Sequence, residues 1–270
     1  MDLQSNIFVA GHRGLVGSAI VRALKQRGYR NIITIPRDAL DLTDQSSVEH
    51  FFSLHQIEYV IIAAAKVGGI LFNQSHQADF LYENLMINTN IIKAAADHEV
   101  AKLLLLGSSC IYPKFSSQPI SENSLLKGPL EPTNEGYAIA KIAGLKLCEK
   151  YHEQYNKCFI SAMPTNLYGP GDNFHPTHSH VIPGMMRRFH DAKYRGDESV
   201  TIWGSGNPRR EFLHVDDLAE AVIHLMLCYN DSQPINVGTG KDMSILDLAT
   251  VMAETVGYQG AILTDPSKPD

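Results

Sequence analysis

No apolar stretch of this chain is long enough to cross a bilayer: the longest, residues 59–65, runs for seven residues where a membrane helix needs about 20. Residues 1–6 carry no basic n-region, so no secretory leader is expected. Cysteine is scarce. The four present, Cys110, Cys148, Cys158 and Cys228, show no C-x-x-C or zinc spacing, which argues against a disulfide scaffold or a zinc knot and suits a reduced, cytoplasmic setting. Positive charge is not in surplus: 23 Lys and Arg against 29 Asp and Glu leave a net charge of -6 without a basic stripe, so no nucleic-acid partner is expected. No internal repeat or low-complexity segment is evident. What is present, 270 residues with 44% hydrophobic and 19% charged, is ordinary for one large or two modest globular domains.

Through residue 163 strand-like and helix-like patterns alternate, as in the Rossmann-type doubly wound parallel sheet of the α/β class. Strands are expected over 7–10, 32–35, 59–63, 103–107 and 159–163, and helices over 15–27, 46–55, 84–98 and 137–155. Val60-Ile61-Ile62-Ala63 and Leu103-Leu104-Leu105-Leu106 are unbroken apolar runs, as parallel strands buried on both faces require. Right-handed crossovers then align the carboxyl ends of the strands on one rim, where such sheets bind ligands. Gly11 and residues 64–69, 108–110 and 164–168 fall on that rim.

The run Ile7-Phe8-Val9-Ala10 leads into Gly11-His12-Arg13-Gly14-Leu15-Val16-Gly17 and a helical pattern. Strand, glycine turn and helix make a phosphate site, because glycine lets the backbone approach a pyrophosphate whose charge meets the helix N-terminus. The spacing is G-x-x-G-x-x-G rather than G-x-G-x-x-G. Arg37, after the second strand, and Arg13, inside the turn, favour the 2'-phosphate of NADP over the free ribose of NAD, although Asp38 pulls the other way. An NADP-binding domain is therefore expected over 1–163. A smaller α/β substrate domain over 164–270 would close on the rim, with a strand at 211–214 and a helix at 218–227 that pack back against the main sheet.

Tyr137 and Lys141 are four residues apart, so on a helix they share a face. A cation beside a phenol of pKa about 10 favours the phenolate and moves the group towards the working pH of a general acid. Ser108, ending the fourth strand, is placed to bond a substrate carbonyl.

Gly11 to Gly17, Ser108, Tyr137 and Lys141 together resemble the extended short-chain dehydrogenase/reductase family, whose members act on nucleotide-diphosphate sugars. The likeness extends over almost the whole chain, through Ala64-Ala65-Lys66-Val67-Gly68-Gly69-Ile70, Gly107-Ser108-Ser109-Cys110-Ile111-Tyr112-Pro113, Glu131-Pro132-Thr133-Asn134-Glu135, Pro164-Thr165-Asn166-Leu167-Tyr168-Gly169-Pro170 and Ser179-His180-Val181-Ile182-Pro183. It implies NADPH-dependent 3,5-epimerisation and 4-reduction of GDP-4-keto-6-deoxy-D-mannose. It further implies that NADP(H) meets Gly11, His12, Arg13, Gly14, Leu15, Val16, Gly17, Arg37, Asp41, Leu42, Leu106, Gly107, Ser108, Ser109, Tyr137, Lys141, Pro164, Thr165, Asn166, Leu167 and His180. For the GDP-sugar it implies Arg188, Trp203, Arg210 and Asp270, and it adds a homodimer through helices 84–98 and 137–155. Relatives continue past Asp270 with a further strand and helices.

Cys110 separates this reading from its relatives. In the family's sugar dehydratases a glutamate stands two places after the catalytic Ser or Thr, and in its 4-epimerases usually a threonine. A thiolate at that place can take the protons that a 4-ketone acidifies at C3 and C5, if a cation such as His180 or Lys141 lowers its pKa from about 8.5. By resemblance His180 is the acid that returns them. His175, His178 and His180 lack a supporting carboxylate, so no metal is expected. Two other readings stay open: another nucleotide-sugar epimerase or reductase, and a catalytically silent dinucleotide sensor.

Overall fold

The computed structural model describes residues 1–176 and 179–268, so Asp270 and His178 lie outside the described residues. Its centre is a six-stranded sheet, β1 Ile7–Ala10, β2 Ile32–Ile33, β3 Tyr59–Ile62, β4 Lys102–Leu106, β5 Phe159–Pro164 and, much later in the chain, β9 Ile235–Val237. The order is β2-β1-β3-β4-β5-β9 and every pairing is parallel. Each strand's alternate residues feed opposite cores. Phe8 and Ala10 face α2 (Gln45–Leu54), α4 (Gln77–Asp97) and α5 (Glu135–Tyr155), whereas Ile7 and Val9 face α1 (Leu15–Gln26) and α7 (Val215–Cys228). Helices on both faces are why Val60, Ile61, Ile62 and Leu103, Leu104, Leu105 are all fully buried.

The other elements form a second body of structure. β8 (Arg209–His214) lies between β6 (Asn166–Tyr168), parallel to it, and β10 (Asp242–Ser244), antiparallel. β7 (Ser199–Trp203) pairs with β11 (Ala261–Asp265), and α6 (Val181–Arg195) and α8 (Ile245–Val256) pack over this pair in a third core around Phe189, Ile202, Leu248 and Met252. No helix among the described residues is long and apolar enough to cross a membrane.

Three local expectations need correction. The second strand stops at Ile33 rather than residue 35, because the chain turns at Pro36, whose carbonyl accepts the Ala39 and Leu40 N–H groups. The helix read from residue 84 starts at Gln77 and comes after a short helix, α3 (Ile70–Ser75). Its first turns show no apolar periodicity because Phe80 is the one buried residue before Asn84. Of the strand and helix read within 211–227, only the helix lies on the main sheet; the strand joins the three-stranded one. The main-sheet edge is taken instead by β9, three residues too short to register as a strand pattern.

Candidate active site

The glycine turn is built for an anion. Gly11 has φ +84°, and a Cβ there would stand 2.6 Å from the Ala64 backbone nitrogen. A Cβ on Gly17 would stand 2.1 Å from the Gly11 carbonyl oxygen, so the turn and the first coil of α1 touch backbone to backbone. Gly14 is the N-cap of α1, no side chain caps the helix, and its first turn holds no acidic residue. The N–H groups of that turn and the positive end of the helix dipole are left for a phosphate. A dinucleotide pyrophosphate fits this geometry.

At the end of β2 both arginines are exposed. Arg13 lies 3.9 Å from Asp38, and Arg37 Nη2 lies 3.4 Å from Glu83 Oε2. Glu83, on α4, also accepts from Lys66 Nζ at 2.5 Å. Asp41 accepts from the Thr43 N–H and hydroxyl, and the Leu42 side chain packs into the core beneath while its carbonyl accepts from Asn90 Nδ2. Sequence reasoning missed a clamp on the rim. Asn84, 1% exposed, accepts from the Lys66 N–H at 2.9 Å and donates to the Lys66 carbonyl at 3.1 Å, fixing the segment after β3 from both sides. Its one signal is a polar residue at an inward helix position.

The reacting groups converge on one hydroxyl. Ser108 Oγ accepts from Cys110 Sγ at 3.1 Å and from the Cys110 N–H at 3.5 Å, and the Tyr137 phenol lies near enough to feel the Ser108 hydroxyl. Lys141, 2% exposed, donates to the Leu106 carbonyl at 2.8 Å, with Nζ 5.8 Å from the centroid of the Tyr137 ring. The helix spacing thus puts lysine beside tyrosine, and the segment after β4 brings serine to the tyrosine.

The protonation states differ from the simple expectation. Burial pushes the Tyr137 phenol up, the nearby Cys110 adds to this, and the Ser108 bond only partly offsets it. Lys141 does not lower the phenol as the spacing alone suggested, because burial makes the lysine give up its own charge before the phenol titrates. Burial pushes Lys141 itself down to about 8. Cys110 is likewise raised by burial, against the Ser108 bond and the Lys141 charge; of the two cations considered, Lys141 is the one it feels. Without ligands the phenol and the thiol therefore both rest protonated.

This depressed lysine has a measurable consequence. Between about 8 and the ordinary 10.5 the unfolded chain binds the proton that folded Lys141 has released, so its contribution to stability rises with pH across that window. The stability of the native protein relative to Lys141→Met is expected to grow by up to about 3 kcal/mol from pH 8 to 10.5. Chemical denaturation at several pH values measures it, and a difference independent of pH would refute it.

The remaining residues lie around this centre. Pro164 ends β5, Thr165 Oγ1 and Asn166 Nδ2 both donate to the Glu211 carbonyl, and Leu167 packs into the second core. Gly107 donates to the Ala162 carbonyl, and Ser109 is exposed. His180 is exposed at the N-cap of α6, on the side of Asp172, and is not among the groups that act on Cys110. Among the described residues no group of three His, Cys, Asp or Glu side chains is placed to hold a metal.

The arginines sort into two kinds. Arg187 pairs with Asp191 and Arg209 with Asp242. Arg188 donates to the Thr201 carbonyl on β7, two residues before half-exposed Trp203, and Arg210 donates to the Arg209 carbonyl. Neither Arg188 nor Arg210 has a carboxylate within ion-pair distance among the described residues.

Comparison with known proteins agrees with this chemistry. The model of the NAD dependent epimerase/dehydratase family matches residues 7–238. The chain is 56% identical over 269 residues to GDP-L-fucose synthase 1 of Arabidopsis thaliana, covering 100% of this chain and 83% of that protein. It is 55% identical over 276 residues to GDP-L-fucose synthase of Escherichia coli (strain K12), covering 99% and 86% respectively. Among solved structures, GDP-mannoheptose C4 reductase from Campylobacter jejuni with NADP bound superposes with a TM-score of 0.91 at 36% identity, over 98% of this chain and 89% of that one. A GDP-L-fucose synthetase from Naegleria fowleri bound to NADP gives 0.91 at 29% identity, over 100% and 84%.

Proposed function

The chain belongs to the NAD dependent epimerase/dehydratase family, and from that premise we propose that it converts GDP-4-keto-6-deoxy-D-mannose to GDP-L-fucose, epimerising C3 and C5 and reducing C4 with NADPH. The observation that carries this reading is the Cys110 thiol bonded to the Ser108 hydroxyl, with the Tyr137 phenol beside that hydroxyl. One carbonyl oxygen lodged at Ser108 and Tyr137 would bring the adjacent C–H bonds towards the thiol.

Residues 11–17, with Arg13 and Arg37 at the adenosine end, hold NADP(H), and residues 106–109, 164–167 and His180 line its path towards the reacting centre. When bound, the reduced nicotinamide supplies hydride to C4. Ser108 and Tyr137 polarise the C4 carbonyl, which acidifies C3 and C5. Cys110, once deprotonated with the help of the Lys141 charge, removes each proton to leave an enolate, and His180 returns a proton to the opposite face. Tyr137 then protonates the C4 alkoxide. Arg188 and Arg210, not engaged by carboxylates, take the diphosphate, with Trp203 against the nucleoside.

The same reading divides the chain into an NADP domain over 1–163 and a GDP-sugar domain over 164–270, with α7 and β9 returned to the former. It also gives a homodimer. α4 and α5 pack side by side and expose Tyr82, Ile139 and Tyr155, so a second copy docking on them would make a four-helix contact. Sedimentation should find two copies; a monomer at working concentration would refute it.

The paired assignment is tested by solvent exchange. Cys110→Ser should lose deuterium incorporation at C3 and C5 from D2O, and His180→Asn should slow product formation at least about tenfold. Exchange that survives without the thiol, or full turnover without the imidazole, would remove that residue from the mechanism.

A further inference from the structure

We infer that Tyr112 and Asn236 are positioning residues that hold the Cys110 thiol in register for proton transfer, and this rests on the role given to Cys110 above. Cys110 sits in a single 3-10 turn, Ser109–Ile111, whose internal bonds are long: the Ile111 N–H reaches the Ser108 carbonyl at 3.3 Å and the Tyr112 N–H reaches Ser109 at 3.4 Å. Such a turn has little stiffness of its own. Its rigidity comes from the anchoring of its C-terminal end, where Ile111 is fully buried and Tyr112 is 5% exposed.

The Tyr112 phenol crosses to β9 and donates to Asn236 Oδ1 at 2.5 Å. Asn236 is bonded on its other sides as well. Its N–H donates to Glu122 Oε1 at 2.9 Å and its Nδ2 to the Ile120 carbonyl at 3.0 Å. A strand of the main sheet is thereby tied to the turn that carries the thiol and to the loop leading away from it. Burial, with Glu122 adding to it, pushes the Tyr112 hydroxyl up to about 12, so it remains a donor throughout the physiological range.

Of the other reacting groups only Ser108, which caps this turn and accepts from Cys110, touches the brace. Ser108 comes after Gly107, whose N–H bonds the Ala162 carbonyl on β5. Tyr137 and Lys141 ride on α5, which packs along α4 and β5, and Lys141 is bonded to the end of β4. Loosening the turn therefore moves the thiol most and leaves Tyr137, Lys141 and the cofactor turn in place. Since a displacement of about 1 Å can cost about 100-fold in rate, proton transfer should suffer selectively.

The variant to make is Tyr112→Phe, which keeps the ring and removes the one hydroxyl; Asn236→Ala is the second. Exchange at C3 and C5 is measured in D2O with NADP+ present and no reductant, and NADPH affinity is measured separately by fluorescence. Exchange should fall at least about tenfold in each variant while the Kd for NADPH stays within about twofold. Exchange in Tyr112→Phe within about twofold of the native protein overturns the inference, as does an equal loss of NADPH affinity, which would mark a general structural role. If the native protein itself shows no exchange, the role of Cys110 fails and this inference with it; exchange that is native-like in Tyr112→Phe sinks the brace alone.

Discussion

Tyr137→Phe is expected to lower kcat for NADPH oxidation by about 100-fold to 10,000-fold, the range for loss of a positioned general acid, with NADPH affinity nearly unchanged. The phenol beside Ser108 is the donor proposed for the C4 oxygen, and burial keeps it protonated until charge develops there. The ring packs edge-on against Phe80, and phenylalanine keeps that contact, so the loss is chemical rather than structural. Exchange at C3 and C5 should be damaged less than hydride transfer, because Ser108 still polarises the carbonyl. Stopped-flow absorbance under single-turnover conditions measures the first and solvent deuterium the second. A kcat loss below tenfold would mean that another group donates the proton.

Gly17→Ala should cost NADP(H) affinity at least about tenfold and fold stability about 1–3 kcal/mol, the scale for overpacking a site that cannot relax. The added carbon would stand 2.1 Å from the Gly11 carbonyl oxygen and 2.6 Å from its carbon, and both are backbone atoms. Relief requires α1 to move away from the turn, which also withdraws the helix N-terminus from the pyrophosphate. At Gly14 an added carbon would meet the same oxygen at 3.5 Å, ordinary contact, so Gly14→Ala should change stability by less than about 0.5 kcal/mol. Cofactor titration and thermal unfolding of both variants provide the comparison, and equal effects at the two positions would refute the steric account.

The strand, glycine turn and helix of residues 7–26 were legible because their signals are local, as was the pairing of Tyr137 with Lys141. A run of apolar residues, a spacing of three between glycines and a spacing of four on a helix need no knowledge of the rest of the chain. The brace on the 3-10 turn at Cys110 and the Asn84 clamp were not legible, since each is defined by a partner far along the sequence. Asn236 is the clearest instance: three residues of β9 carry no pattern, yet they close the main sheet and brace the thiol's turn. The arginines divide the same way. The resemblance singles out Arg188 and Arg210, but only the fold shows that Arg187 and Arg209 are engaged, by Asp191 and Asp242.

By itself, then, the sequence determined the α/β class, the cofactor turn, the family and the set Ser108, Tyr137, Lys141 and Cys110. Tertiary structure alone decided the charge states of that set. Spacing placed a cation beside a phenol and pointed to a lowered pKa, but burial is a property of everything that surrounds the pair. It outweighs the neighbour, raising Tyr137 and Cys110 and bringing Lys141 down to about 8.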